Sequence, residues 1–183
     1  MSKQEDTKTR TFELGGTRVT LSSTKDSHWR DQQVVVVYMG AVGPSGAQHI
    51  APIGGVPTLD MEPIMIESGG SFVGAGLLAD HIDHERSILR RYIERGELRV
   101  YATPEAALDG SLKEVSSVVA ISRDAALLNA WLKIEEYRPT KRGALIRMLK
   151  ERIRIHGDHS TPRPTLVHMR QAQEAVAAAR ATG

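Results

Sequence analysis

Two pairs of histidines have the spacing that metal sites often use. His81 and His84 lie three residues apart in a predicted helix, and His156 and His159 repeat that spacing near the end of another. Side chains at i and i+3 of a helix face the same way, so each pair could ligate one ion, with adjacent aspartates as further ligands. Histidine is also common at helix ends, where the helix dipole favours its charged form. We expect solvated histidines and no metal site.

Other catalytic signatures are missing from the sequence. There are no cysteines, which excludes thiolate nucleophiles and thiolate metal sites in this chain. Gly69, Gly70, Gly74 and Gly76 precede a predicted helix, but neither the P-loop nor the dinucleotide-binding spacing can be written through them. No serine occupies a G-x-S-x-G elbow. We therefore expect no enzyme activity, no catalytic residue and no cofactor.

The clearest charge feature is a basic segment over residues 138–156. The whole chain is nearly balanced, with a net charge of +2, whereas this segment has a single acid, Glu151. It is either the solvated face of a surface helix or a surface for phosphate groups or an acidic protein. We predict phosphate contact for Arg138, Lys141, Arg142, Arg147, Lys150 and Arg154.

The stretch from residue 63 to residue 101 holds the densest local signals. Two short apolar runs, 64–66 and 72–73, flank Ser68-Gly69-Gly70, which predicts a hairpin with a glycine turn. Apolar residues then recur at helical spacing, which predicts one central helix over residues 78–95, followed by a glycine and a strand. The predicted core comprises Val35, Val37, Ile64, Ile66, Val73, Leu78, Ile82, Leu89, Ile93, Leu98 and Val100.

The remaining elements are predicted from apolar runs and capping residues. A hairpin is predicted around Gly15-Gly16, and strands are predicted over 34–38 and 115–121. The 34–38 run is apolar on both faces, so both faces of its sheet should be covered. Helices are predicted after Thr103-Pro104, over 123–137 with Ser122 as cap, from Thr140 to about His156, and over 165–180.

Strands come first and helices last, which predicts an α+β fold. We expect a small antiparallel sheet region followed by a helical C-terminal half, with an extended loop and a tail. The predicted segments are an N-terminal arm (1–10), a β-rich domain (11–121) with the central helix and a long loop (40–62), a helical hairpin (122–157), and a linker with a docking helix (158–183).

Two segments carry apolar residues without enough local structure to bury them. The loop 40–62 is rich in glycine and proline yet keeps apolar residues, so it is either a mobile surface loop or an arm for a neighbour. The last helix has too few apolar residues to fold alone. Partner contacts are predicted for Ile50, Ile53, Val56, Leu59, Leu166, Met169 and Val176.

Residues 86–99 read Arg-Ser-Ile-Leu-Arg-Arg-Tyr-Ile-Glu-Arg-Gly-Glu-Leu-Arg. This run resembles the recognition helix and wing entry of excisionase-type and MerR-type winged helices, where a similar helix is followed by glycine and a strand. Those domains also have a helix and a tight turn before it, whereas Ser71–Gly76 here is glycine-rich and strand-like. The resemblance implies a DNA-binding regulator.

The whole stretch 63–101 resembles small virion proteins of tailed bacteriophages. In these proteins an apolar strand, a Gly-Gly turn, a return strand, a helix and an R-G-x-L-x-V strand follow in that order. The resemblance implies a structural role in the particle, near the capsid or neck. The matching positions are Ile64, Ile66, Gly69, Gly70, Val73, Arg95, Gly96, Leu98 and Val100.

Together these features favour a non-enzymatic structural component of a tailed-phage virion, assembled in the host cytoplasm. We expect an oligomeric ring at the head–neck junction that contacts other virion proteins and touches DNA without sequence preference, if at all. No apolar run approaches the about 18 residues that a membrane span needs. The alternatives are a capsid decoration protein and a DNA-binding regulator that uses the helix in 86–99.

Overall fold

Short strands and helices surround one central sheet. The computed structural model describes residues 8–14, 17–40, 53–54, 62–84 and 87–156. Its small antiparallel sheets and helices make an α+β fold, as predicted. The strands are β1 (Thr9–Leu14), β2 (Thr17–Ser22), β3 (Gln33–Tyr38), β4 (Ile53–Gly54), β5 (Met65–Ile66), β6 (Gly69–Gly74) and β7 (Leu98–Tyr101). The helices are α1 (Ala75–Asp83), α2 (Ile88–Glu94), α3 (Pro104–Ala107), α4 (Leu112–Ile121), α5 (Ala125–Tyr137) and α6 (Gly143–His156), with a 3₁₀ turn at Trp29–Asp31.

β3 is the middle strand of a three-stranded sheet with the order β6-β3-β7. Val34 lies opposite Val73 on β6, and Val36 lies opposite Val100 on β7. Both neighbours run antiparallel to β3, so β6 and β7 run parallel to each other. Parallel strands need a long crossover connection, and α1 and α2 provide it. These two helices therefore lie across one face of the sheet.

The side chains of β3 alternate between two apolar clusters on opposite faces of the sheet. Val34, Val36 and Tyr38 belong to one cluster, and Val35 and Val37 belong to the other. Both faces are covered, which confirms the prediction for this strand. The front core comprises Phe12, Val19, Leu21, Trp29, Val34, Val36, Tyr38, Ile64, Ile66, Val73, Ala75, Leu78, Ala79, Ile82, Leu89, Ile93, Leu98 and Val100. The rear core comprises Val35, Val37, Leu108, Val115, Val119, Leu127, Leu128, Trp131, Leu145 and Leu149.

Every residue predicted for the core is buried. Most of them lie in the front core, and Val35 and Val37 lie in the rear core. The sequence did not indicate that the sheet separates the two groups into distinct cores.

β6 replaces the predicted glycine-turn hairpin. Gly69 and Gly70 lie within β6, opposite Tyr38 and Val37, while β5 pairs with β4. Gly69 has a φ of 90°, a conformation that L side chains rarely adopt. A Cβ at Gly70 would overlap the ring of Trp131 on α5. The hairpin prediction is wrong because these glycines allow a strand to approach its neighbours closely and do not reverse the chain.

The predicted helix 78–95 is wrong, because the chain forms two helices there. α1 ends at Asp83 and is followed by His84 in an extended conformation, with φ −66° and ψ 134°. α2 begins at Ile88, with Ser87 as its N-cap. Both helices bury their apolar side chains in the front core. The apolar periodicity therefore continues through the break and conceals it.

The predicted strand 115–121 is also wrong, because these residues belong to helix α4. The Oγ of Ser111 accepts a hydrogen bond from the Glu114 N–H (3.3 Å), and the Glu114 carboxylate accepts one from the Ser111 N–H (3.0 Å). This is a capping box. Val115 and Val119 are one turn apart and both lie in the rear core. Capping and packing outweigh the strand preference of the β-branched residues.

The predicted starts of the next two helices are displaced. Asp124 caps α5, whereas the predicted cap, Ser122, follows the end of α4. The carboxylate of Asp124 also accepts a hydrogen bond from the Phe72 N–H of β6 at 2.9 Å, so it is fixed by two elements. α6 begins at Gly143, three residues after the predicted cap, Thr140.

Other local predictions are confirmed. Thr103 caps α3, with Pro104 as its first residue. Gly96 follows α2 with a φ of 73°, and β1 pairs with β2 on either side of Gly15-Gly16. Three predicted segments lie mostly or wholly outside the described residues. They are the arm 1–10, the loop 40–62 and the tail 158–183, which contains the predicted helix 165–180. No helix in the described ranges combines the length and the hydrophobicity needed to cross a membrane.

Candidate nucleic-acid interface

A helix–turn–helix arrangement connects the two outer strands of the sheet. Residues 84–87 separate α1 from α2, and the Ser87 N–H donates to the His84 carbonyl oxygen at 3.0 Å. Ser87 then caps α2, since its Oγ accepts from the Arg90 N–H at 3.1 Å. Turns of three or four residues join the two helices of DNA-binding helix-turn-helix motifs. The chain thus contains a helix shortly before α2, which its winged-helix resemblance lacked at the level of sequence.

The inner faces of α1 and α2 close this unit against the front core. Leu78, Ala79 and Ile82 of α1 are buried, as are Leu89 and Ile93 of α2. Burying one large aliphatic side chain stabilises a fold by about 1.5–3 kcal/mol. α2 cannot turn this stripe outward without losing that stabilisation, so its opposite face is fixed towards solvent.

The solvent face of α2 is cationic. Arg90, Arg91 and Arg95 are exposed, and Glu94 is the one acidic residue of the helix. Arg90 Nε lies 3.5 Å from the Glu94 carboxylate. Arg91 and Arg95 form no ion pair within the ranges that the structure describes. Two guanidinium groups are therefore presented to solvent without a described counter-charge.

Two ion pairs link the exposed side of α1 to the 3₁₀ turn and to β1. Arg30 of the 3₁₀ turn donates to Asp80 at 2.6 Å, and Arg10 of β1 donates to Asp83 at 2.5 Å. The hydrogen bond to Asp80 raises the pKa of the Arg30 guanidinium. Partly exposed pairs of this kind contribute about 0–1 kcal/mol each. Their main effect is to orient α1, and with it the start of α2, relative to the strands.

His81, the first histidine of the possible metal pairs, is held by another contact. His81 is 1% exposed, and its Nε2 lies 2.8 Å from the carbonyl oxygen of Glu62. His84 follows α1 and His156 ends α6, while His159 lies outside the described residues. In the described ranges, no three or more histidine, cysteine, aspartate or glutamate side chains form a group that could hold a metal ion. His81 instead ties the segment before β5 to α1.

Two of the cations predicted to contact phosphate, Arg138 and Arg142, form ion pairs with the same buried glutamate. Glu135 of α5 is 0% exposed, and Arg142 donates to its two carboxylate oxygens at 2.9 and 2.5 Å. Arg138 lies 3.0 Å from the same carboxylate. Arg142 also donates to the carbonyl oxygens of Leu108 and Gly110, and its hydrogen bond to Glu135 raises its pKa. Both arginines join α5, the α3–α4 connection and the start of α6, so their charges are used within the fold.

The other four predicted phosphate contacts face solvent. Lys141 precedes α6, and Arg147, Lys150 and Arg154 are exposed on the helix itself. Lys150 and Arg154 each pair with a nearby glutamate, at 2.9 and 2.7 Å. Lys141 and Arg147 have no ion pair with a described residue. Of the six predicted phosphate contacts, Arg138 and Arg142 therefore stabilise the fold, and the other four are accessible to a ligand.

The predicted partner-binding residues lie almost entirely outside the described residues. Ile53 is the exception, in β4 opposite Ile66. The others are Ile50, Val56, Leu59, Leu166, Met169 and Val176. Large apolar side chains that are exposed in the described ranges were not singled out from the sequence: they are Met65, Ile88, Leu112, Tyr137 and Ile155.

Sequence reasoning missed the helix–turn–helix unit although one signal was present. Ser87 occupies an N-cap position before an apolar-periodic run, which is a typical helix start. Because the periodicity continues from α1 into α2, this signal was outweighed. Tyr137 was missed as well, since a tyrosine at the end of an apolar helix gives no sign that it will be 87% exposed.

No protein-family model, curated protein or solved structure matches this chain.

Proposed function

We propose that this chain is a DNA-binding protein that places α2 in the major groove, in the manner of winged-helix regulators. The observation that carries the proposal is the α1–turn–α2 unit, whose inner faces are buried and whose outer face is cationic. It supplies the preceding helix that the resemblance over residues 86–99 requires. β6 and the two separate helices stand where the resemblance to phage virion proteins requires a glycine-turn hairpin and a single helix, which favours the DNA-binding proposal.

The chemistry of the α2 face suits this role. The major groove is wide enough to admit an α-helix, and arginine is the side chain that most often reads guanine there. Arg91 and Arg95 are exposed and have no described carboxylate to compete with a base or a phosphate. Arg90 pairs with Glu94 at 3.5 Å, but its side chain is 53% exposed and stays accessible to a phosphate that fixes orientation.

A competition binding experiment tests the proposal. Selection from a random duplex library should yield a site bound about a thousandfold more tightly than random DNA, the low end for specific binders. The double variant Arg91→Ala and Arg95→Ala should lose this preference. The double variant Lys25→Ala and Lys113→Ala removes the same charge from exposed positions outside α2 and should retain it. If the α2 variant keeps the full preference, α2 is not the reading element.

The second candidate is a structural subunit of a tailed-phage virion, in an oligomeric ring at the head–neck junction or as capsid decoration. It is supported by exposed apolar side chains next to the segments predicted to contact partners. Met65, 43% exposed, follows the loop segment 55–61, and Ile155, 44% exposed, precedes the segment 157–183.

The oligomeric state separates the two candidates. A virion subunit should form a closed ring of fixed copy number in solution or in particles, with symmetric contacts. Its DNA binding, if any, should be displaced fully by random DNA. A monomer or dimer that binds one preferred duplex site would exclude the ring. Mass measurement of the purified chain, together with the competition experiment, gives the answer.

A further inference from the structure

We infer that the solvent face of α5 and α6 is a second nucleic-acid surface, so that one molecule bridges two duplexes; the inference rests on the proposed function. The face comprises Lys133 and Tyr137 of α5, Lys141, and Arg147, Lys150 and Arg154 of α6, all of them exposed.

Charge supports a polyanionic ligand at this face. Its five cations are accompanied by Glu136, which pairs with Lys150, and Glu151, which pairs with Arg154. Lys133, Lys141 and Arg147 have no ion pair among the described residues. Three positive charges thus remain for phosphates, and binding of this kind is driven by counterion release.

Tyr137 adds an exposed aromatic ring with a hydroxyl group to this charged face. Its side chain is 87% exposed, the highest value among the large apolar and aromatic residues described. Tyrosine hydroxyls donate to phosphate oxygens in protein–DNA complexes. Tyr137 lies one turn after Lys133 on the same face of α5, so a phosphate strand that passes Lys133 also meets the hydroxyl.

The position of this face in the fold excludes a shared duplex. α2 packs on the front core through Leu89 and Ile93, whereas α5 and α6 pack on the rear core, for example through Trp131 and Leu149. The sheet lies between the two cores, so α2 and the α5–α6 pair lie on opposite sides of the sheet. Two helix layers and a sheet separate them by roughly 30 Å. A straight duplex on one face does not reach the other.

A bead-bridging experiment tests the inference. One duplex carrying the selected site is immobilised, the protein is added, and recruitment of a second, labelled duplex is measured. The wild-type chain should recruit the second duplex. The variant Lys133→Ala with Arg147→Ala leaves no described carboxylate unpaired; it should bind the immobilised duplex within about twofold of wild type but recruit the second duplex at least about tenfold less. Tyr137→Phe should weaken recruitment to a smaller extent.

The outcomes separate this inference from the proposed function. A wild-type chain that binds no duplex overturns the proposed function and the bridging with it. A wild-type chain that binds the immobilised duplex but recruits no second one overturns the bridging alone. Recruitment that is unchanged in the Lys133 and Arg147 variant also overturns it, because bridging would then come from two α2 helices in a self-associated pair. Circular dichroism confirms that each variant is folded.

Discussion

Gly70 and Trp131 are in direct contact between β6 and α5, and the contact leaves no space for a side chain at residue 70. A Cβ there would overlap the six-membered ring of Trp131, which is 1% exposed. On the outer edge of the strand, the Gly70 N–H donates to the Ser122 Oγ at 2.7 Å. One glycine thus sets the distance between the sheet and the rear helices.

Gly70→Ala should lower the free energy of unfolding by about 1–3 kcal/mol, because the added methyl group overpacks a tight core. Gly143→Ala is the matched control, since nothing lies within 4 Å of a Cβ at that position. It adds the same methyl group to the start of α6, where alanine is a better helix former by up to about 1 kcal/mol. Urea unfolding of both variants measures the difference. Equal effects would show that the contact with Trp131 does not limit residue 70.

The sequence predicted the fold class and the buried residues well, because burial follows from apolar type and from the two-faced pattern of residues 34–38. It failed where long-range contacts decide the local structure. The role of Gly70 depends on Trp131, 61 positions later in the chain. α4 forms because valines at helical spacing meet the rear core, which the β-branched composition of 115–121 does not reveal.

For the candidate interface, the cationic helix was foreseen but its geometry was not. The run around Arg90 was identified as a possible recognition helix, whereas the break after Asp83 that creates the unit was not. Among the basic residues of 138–156, the sequence could not distinguish Arg142 from Arg147. That distinction depends on Glu135, which is buried only because α5 packs on the rear core.

Glu135→Gln should lower the free energy of unfolding by about 3–5 kcal/mol, because it leaves Arg138 and Arg142 without their buried counter-charge. Arg142 is 18% and Arg138 29% exposed, so partial solvation keeps the loss towards the lower end. Glu151→Gln removes a carboxylate from an exposed pair on α6 and should change stability little. Thermal melting compares the two variants. Similar melting temperatures would mean that the Glu135 pair contributes no more than a surface pair.

Ser87→Ala should destabilise α2 by about 0.5–2 kcal/mol, because it removes the side-chain oxygen that accepts from the Arg90 N–H. Ser87→Thr should retain most of the stability, since threonine keeps the hydroxyl oxygen at the N-cap and adds no charge at a position that is 5% exposed. Ser117→Ala is the control within a helix, where Ser117 Oγ donates to the Lys113 carbonyl and alanine is favoured. Hydrogen exchange of the α2 amides reports the local effect. Protection of α2 that is unchanged in Ser87→Ala would contradict the capping role.

Tyr38 should make the protein less stable at high pH. Burial raises the pKa of Tyr38 above its ordinary value of 10.0, and nearby Tyr92 raises it further. Below the pKa of Tyr38 in the unfolded chain, the folded and unfolded states both keep the proton, and the free energy of unfolding is fully present. Above that pKa the unfolded chain ionises first, so the free energy of unfolding falls as the pH rises towards the pKa of the folded state. Urea unfolding at about pH 8 and about pH 11 should show a smaller loss for Tyr38→Phe than for wild type. An equal loss would assign the effect to other tyrosines.

The salt dependence of DNA binding should distinguish base-reading from phosphate-binding arginines. If Arg91 reads a guanine, Arg91→Ala should cost about 1–3 kcal/mol at the preferred site and relax the preference at one base pair. Arg90→Ala should instead weaken binding to preferred and random duplexes alike and reduce the log–log salt slope by about 1. The slope is measured over a salt titration for each variant on both duplexes.

The opposite pattern would favour the virion proposal. If only the solvent-facing cations near α6 touch DNA, about three to five phosphate contacts give a slope of roughly −3 to −4.5 with no preferred sequence. Arg91→Ala would then leave binding unchanged, because Arg91 lies on the front-core side of the sheet and α6 on the rear-core side. Loss of binding in Arg147→Ala together with an unaffected Arg91→Ala would therefore exclude α2 as the reading helix.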